Sequence, residues 1–223
     1  MSGAALFARY AFPPNELGYC GPDGAHALLS GSGSHGVDEA EIARRARLFD
    51  GAWPYLEIIA GAAGVTDPLD RRVVEAYWVG NELLELVDPA SCAAELRGCF
   101  KGQVTSRLDG AAGAVPHHSF HVFAVYPWLG MLGRGNDAVA LSVLEQCRIR
   151  WGTVTGIAGE RATVLSQPLA LADGELILGK PREESVRWSA DGNSLVADLS
   201  TGDVVSMHWD WVCDSLDARQ VAS

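Results

Sequence analysis

The ten residues CRIRWGTVTG, positions 147–156, mark the point where the chain changes character. Upstream of them, apolar residues recur at the three-to-four spacing of buried helix faces. From Cys147 onward they alternate in short runs. After a Gly159-Glu160 turn, segments 161–166, 175–179, 185–188, 194–199 and 203–208 all read as short strands. The pairs Asp173-Gly174, Asp191-Gly192 and Thr201-Gly202 punctuate them with turn residues. Short strands with regular turn signals imply a small barrel or sandwich. The expected fold class is therefore α+β, with a mostly helical domain over residues 1–146 and a β domain over residues 147–223.

The helical part reads unevenly. Residues 1–36 are rich in Gly, Pro and Ser, and lead to the expectation of turns and loops. Asp38 is a good N-cap for a helix carrying Ile42, Ala46 and Phe49. A second helix is expected from Pro54 to Gly64. A third, nearly twenty residues long, is expected from about Pro68 until Asp88-Pro89 stops it. Further helices are expected over 90–100, 117–126 and 137–146, with GAAGAVP at 110–116 as a flexible connection.

Composition narrows the function. There are 28 acidic against 17 basic residues, a formal charge of −11, and Lys101 and Lys180 are the two lysines. Such a surface repels phosphate backbones, which argues against unaided nucleic-acid binding. It favours a basic partner or a metal ion. The longest apolar stretch, 120–132, is broken by Pro127 and Gly130 and is too short to span a bilayer. The N-terminus does not read as a signal peptide. Five cysteines with no CxxC pair are expected to be reduced thiols in the cytoplasm, with Cys92 and Cys99 as small buried hydrophobes.

The β segment has matching ends. Cys147 opens it, Gly152 and Val154 follow, and a Gly-Glu turn comes next. Near the end stand Gly202-Asp203, a strand finishing in His208, and then Leu216-Asp217. This arrangement resembles the HypC/HupF family of nickel–iron hydrogenase maturation chaperones. The resemblance covers Cys147 to Ser223, with an interval before His208 longer by about one hairpin around residues 169–190. It implies an OB-like β-barrel. It also implies that Cys147 and His208 hold an iron carrying cyanide and carbonyl ligands, destined for a hydrogenase large subunit or a maturation scaffold protein. A thiolate and an imidazole are reasonable ligands for that ion.

Other residues compete for a role. In Pro116-His117-His118-Ser119-Phe120-His121, a regular helix puts His117 and His121 on one face at chelating spacing. His118 would point elsewhere as a hydrogen-bonding neighbour. Glu57, Glu75 or Glu82 are candidates to complete such a site. Cys20, on a turn before Gly21-Pro22, is a further candidate ligand or reactive thiol, with His26 six residues on. Trp209 and Trp211 flank His208 and suggest a docking surface. Two rivals to the maturation reading follow: a metal-dependent enzyme built on His117 and His121, and a metal-free interaction module. Whether catalysis occurs is not fixed by these residues.

Overall fold

The computed structural model describes residues 1–32, 38–100 and 113–223. Its first element departs from expectation. Ser2 accepts a hydrogen bond from the Ala5 amide at 3.3 Å and opens helix α1, Gly3–Glu16, whose side chains are buried almost all round. A helix apolar on every side has no amphipathic period, which hides it among loop-forming residue types. Pro13 and Pro14 lie in its last turn. A proline has no amide proton, so Tyr10, four residues before Pro14, has no i+4 donor for its carbonyl.

Helices α2 (His26–Ser32), α3 (Glu39–Ala46), α4 (Trp53–Ala63), α5 (Arg71–Trp78) and α6 (Pro89–Cys99) follow; α2, α3 and α5 pack on α1, α4 packs on α5, and α6 packs on α4. Their ends follow local chemistry. Asp38, Asp70 and Asp88 accept backbone amides as N-caps, and Gly64 closes α4 with φ +65°. The long third helix is interrupted. It ends at Trp78, Gly80 takes φ +105°, and a 3-10 turn follows over Glu82–Leu86. Cys92 is buried as expected, whereas Cys99 is exposed. Of the 110–116 connection, residues 110–112 lie outside the described residues. Helix α7 (His118–Phe120) runs into a π turn over His121–Val125, and α8 spans Asp137–Cys147.

The strands are β1 (Arg150–Ala158), β2 (Arg161–Ser166), β3 (Leu169–Ala172), β4 (Glu175–Leu178), β5 (Arg182–Arg187), β6 (Ser189–Ala190), β7 (Asn193–Ser194), β8 (Val204–His208) and β9 (Trp211–Ser215). A short helix, α9 (Ala218–Ala222), ends the chain. Pairing runs β1–β2–β5–β9–β8 and returns from β8 to β1, so this five-stranded sheet closes on itself. The hairpin β3–β4 is inserted between β2 and β5 and packs on α8. Cys147 is the last residue of α8 rather than the start of a strand, and β1 begins three residues later. Trp209 occupies a left-handed turn with φ +51°, and Trp211 is fully buried. Neither forms the exposed docking surface that alternation around His208 implies. Among the described residues no helix is long and apolar enough to cross a membrane.

Helix α1 joins the two parts of the chain. The Tyr10 hydroxyl lies 2.7 Å from Ser206 Oγ, and Arg9 pairs with Asp214 at 2.5 Å. Glu16 pairs with Arg187 at 2.7 Å and also accepts from Trp211 Nε1 at 3.1 Å. Phe12 meets the Trp211 ring edge-on at 5.3 Å. The main apolar cluster accordingly contains Leu195, Trp211 and Cys213 beside the helical side chains. Arg150 secures the turn after β8. It is 1% exposed, binds Glu184 through Nε and Nη2, and donates to the Trp209 carbonyl at 2.8 Å. Arg150→Ala leaves Glu184 without its guanidinium and Trp209 without its anchor. We expect a loss of about 3–5 kcal/mol in urea unfolding, the usual result of breaking one half of a buried pair.

Candidate metal centre

His208 ends β8 with its ring held in one orientation. Nδ1 lies 2.7 Å from the Tyr10 carbonyl, which the missing amide of Pro14 leaves available. Nδ1 therefore carries the proton, and Nε2 keeps a lone pair. That Nε2 is buried with no hydrogen-bond partner. A histidine whose far nitrogen is tied to a backbone carbonyl is oriented as metal-binding histidines are. Cys147, at the end of α8, brings its thiol to the same place, and His118 of α7 completes the group. One nitrogen from each imidazole and the Cys147 sulfur all lie within 4.8 Å of one another, and all three residues are buried.

His118 sits in a short relay. Its Nε2 is 2.8 Å from the Cys147 carbonyl and its Nδ1 is 3.1 Å from the Tyr77 hydroxyl, which lies 2.8 Å from the Gly51 carbonyl. Tyr77 has one proton to give. With the His118 proton on Nε2, that proton goes to Cys147 O and Tyr77 donates to Nδ1. In the other tautomer Nδ1 donates to Tyr77, Tyr77 donates to Gly51, and Nε2 gains a free lone pair. The second arrangement suits a metal ligand. Trp78 packs beside both imidazoles, with ring centroids 4.6 Å from His118 and 5.6 Å from His208.

These groups open on a mostly apolar cavity of about 500 Å³. Its walls include Pro14, Phe49, Trp128, Val143 and Trp209, and Tyr19 stacks on Trp209 at 4.2 Å. Cys20 lines the same cavity as Cys147 and His208, held there by Asn15 Nδ2, which donates to the Cys20 and Pro22 carbonyls. His121 also lines it, with Nδ1 2.9 Å from the Tyr55 hydroxyl and Nε2 buried and unpartnered. His26 is exposed and lies away from these walls.

His117 does not share a face with His121. It is the N-cap of α7, its Nδ1 accepts the Ser119 amide at 3.0 Å, and it lines a different cavity beside Val79 and Leu216. The three-residue helix followed by a π turn replaces the regular helix on which the HxxxH spacing depends. His118, three residues before His121, faces the cavity instead. The proposed carboxylates are also elsewhere: Glu75 binds Arg219 and Gln220, and Glu57 and Glu82 are exposed.

Burial keeps the group neutral. It pushes the thiols of Cys147 and Cys20 up to about 12, with each other's proximity adding to the rise at Cys147. It pushes His208 and His121 down to about 4, and His118 well below its ordinary value. A cation placed among these groups reverses the balance at the thiol, because a bound metal ion deprotonates it. For the metal-free chain the consequence concerns acid stability. An unfolded histidine takes a proton near pH 6.5, whereas the folded ring stays neutral down to about pH 4. Stability therefore falls as pH drops through that window and levels off below it. Each of His121 and His208 should cost about 2 kcal/mol at pH 5 relative to pH 7.5. Denaturant titrations at the two pH values measure it, and His121→Phe should flatten the dependence.

No curated protein and no solved structure matches the chain. Over residues 1–223 the sequence matches the family designated DUF6390, described as a family of unknown function, and the chain belongs to that family.

Proposed function

We propose that the protein is a metal-handling accessory factor that holds one transition-metal ion between Cys147, His208 and His118. The observation that carries this reading is the convergence of donor atoms from three buried residues within 4.8 Å, together with a His208 Nε2 that has no hydrogen-bond partner. One thiolate and two imidazoles form a borderline-soft donor set suited to iron, cobalt, copper or zinc rather than to magnesium or calcium. Three protein ligands leave at least one position for an exogenous ligand. The apolar walls around them favour small ligands of low polarity.

Within this reading, the cargo we favour is an iron bearing cyanide and carbonyl ligands, handled in the cytoplasm for a hydrogenase large subunit or a maturation scaffold. Support comes from the resemblance of residues 147–223 to the HypC/HupF chaperones. Its two ligand positions, Cys147 and His208, adjoin in space although they are distant in sequence. The closed pairing of β1, β2, β5, β9 and β8 agrees with an OB-like barrel, with the β3–β4 hairpin as the added segment. An enzyme built on His117 and His121 lacks comparable support, since His117 opens on another cavity.

Cobalt(II) titration tests the metal site. One equivalent should bind with a thiolate-to-cobalt charge-transfer band. Cys147→Ser should abolish the band, and His208→Ala or His118→Ala should weaken binding at least about tenfold. Binding that survives all three substitutions overturns the site. The iron cargo is tested separately, by infrared spectra of protein purified anaerobically from a host that makes the hydrogenase cofactor. Cyanide and carbonyl stretching bands support it. Their absence, with no co-purifying maturation partner, removes the cargo reading and leaves the metal site standing.

A further inference from the structure

A buried centre needs a way in. Cys147, His118 and His208 are each at most 8% exposed, so an ion reaches them through the cavity that they line. A second cavity, of about 450 Å³, adjoins the first and has a more polar wall that includes Arg47, Asp50 and the exposed Cys99. The two cavities share Tyr19, Cys20, Gly51, His121 and Tyr126. Two of these residues carry soft or borderline donor atoms.

His121 is built for the boundary. Its Nδ1 is occupied by Tyr55, and Tyr126 packs against the ring at 4.4 Å, which fixes its plane. Its Nε2 is buried without a partner and points toward Gly51, where an added Cβ would lie 3.0 Å away. Glycine at that position keeps the space before the nitrogen open. An unpartnered polar nitrogen in a residue 2% exposed is unfavourable unless something visits it. Cys20 stands in the same shared wall.

We propose that Cys20 and His121 form a transit site that passes a divalent transition-metal ion from the more polar cavity to the centre at Cys147, His208 and His118. This rests on the metal-centre reading. The transfer is a ligand exchange. Cys20 gives up its thiol proton as it takes the ion, and His121 Nε2 adds its lone pair. On passage inward, Cys147 loses its proton and Cys20 regains one. The net release is one proton, and no electron moves.

The experiment is stopped-flow mixing of the full-length, metal-free protein with cobalt(II), following the charge-transfer band of the Cys147 centre. Cys20→Ser, His121→Phe and the double variant should load roughly tenfold or more slowly while reaching the same final spectrum and stoichiometry. The unchanged final spectrum shows that these variants are folded and that neither residue is a resident ligand. A conservative Cys20→Asp, which restores an anionic donor, should recover part of the rate. Loading at the wild-type rate in all variants overturns the transit site and leaves the centre intact. An altered final spectrum also overturns it, by making Cys20 or His121 a permanent ligand. Failure of the wild-type protein to bind cobalt removes both readings.

Discussion

The hydrogen bond from His208 Nδ1 to the Tyr10 carbonyl links helix, sheet and candidate chemistry. Pro14 withholds the amide proton that Tyr10 would otherwise receive within α1, and His208 supplies a donor from the end of β8. The same contact fixes the imidazole tautomer and leaves Nε2 with its lone pair in the cavity. Around it, the Tyr10–Ser206, Arg9–Asp214 and Glu16–Arg187 contacts hold α1 against the sheet. The position of His208 relative to Cys147 and His118 thus depends on a helix from the opposite end of the chain.

This arrangement suits reversible metal handling better than a rigid structural site. The group is neutral, dry and partly satisfied without a metal: His118 has hydrogen-bond partners on both nitrogens, and the thiols are protonated. Holding a metal requires a thiol to lose its proton and His118 to exchange a hydrogen bond for a coordinate bond. Both steps oppose the strong intrinsic affinity of a thiolate–imidazole set, so an ion held there would not be locked in place. With no carboxylate among the three residues, the donor set would favour softer ions over magnesium or calcium.

Much of this was legible from residue pattern, and the rest was hidden for identifiable reasons. Aspartate caps, the Gly64 terminator and the alternation after residue 147 are local signals, and they located α3, α4, α6 and most of the strands. Cys147 and His208 are singled out by the resemblance of the ends of the β segment to the HypC/HupF pattern. Helix α1 did not, because a helix buried on all sides has no period and because its two prolines look like loop residues. The pairing of His117 with His121 depends on 3.6 residues per turn, which the π turn breaks. The same regular period turns His118 away from that face, whereas in the structure it lines the cavity. Trp209 looked like a strand residue, and its left-handed turn carries neither Gly nor Asn to announce it. No local signal shows that Cys20 lines the same cavity as Cys147, since that depends on how α1 seats against the sheet.

The central claim is that Cys147, His208 and His118 together are one metal centre. X-ray absorption of the zinc-loaded protein tests it most directly. The account predicts one sulfur ligand at about 2.3 Å and two imidazole nitrogens at about 2.0–2.1 Å, with the sulfur lost in Cys147→Ser. A shell without sulfur, or one with a sulfur that persists in that variant, would contradict it.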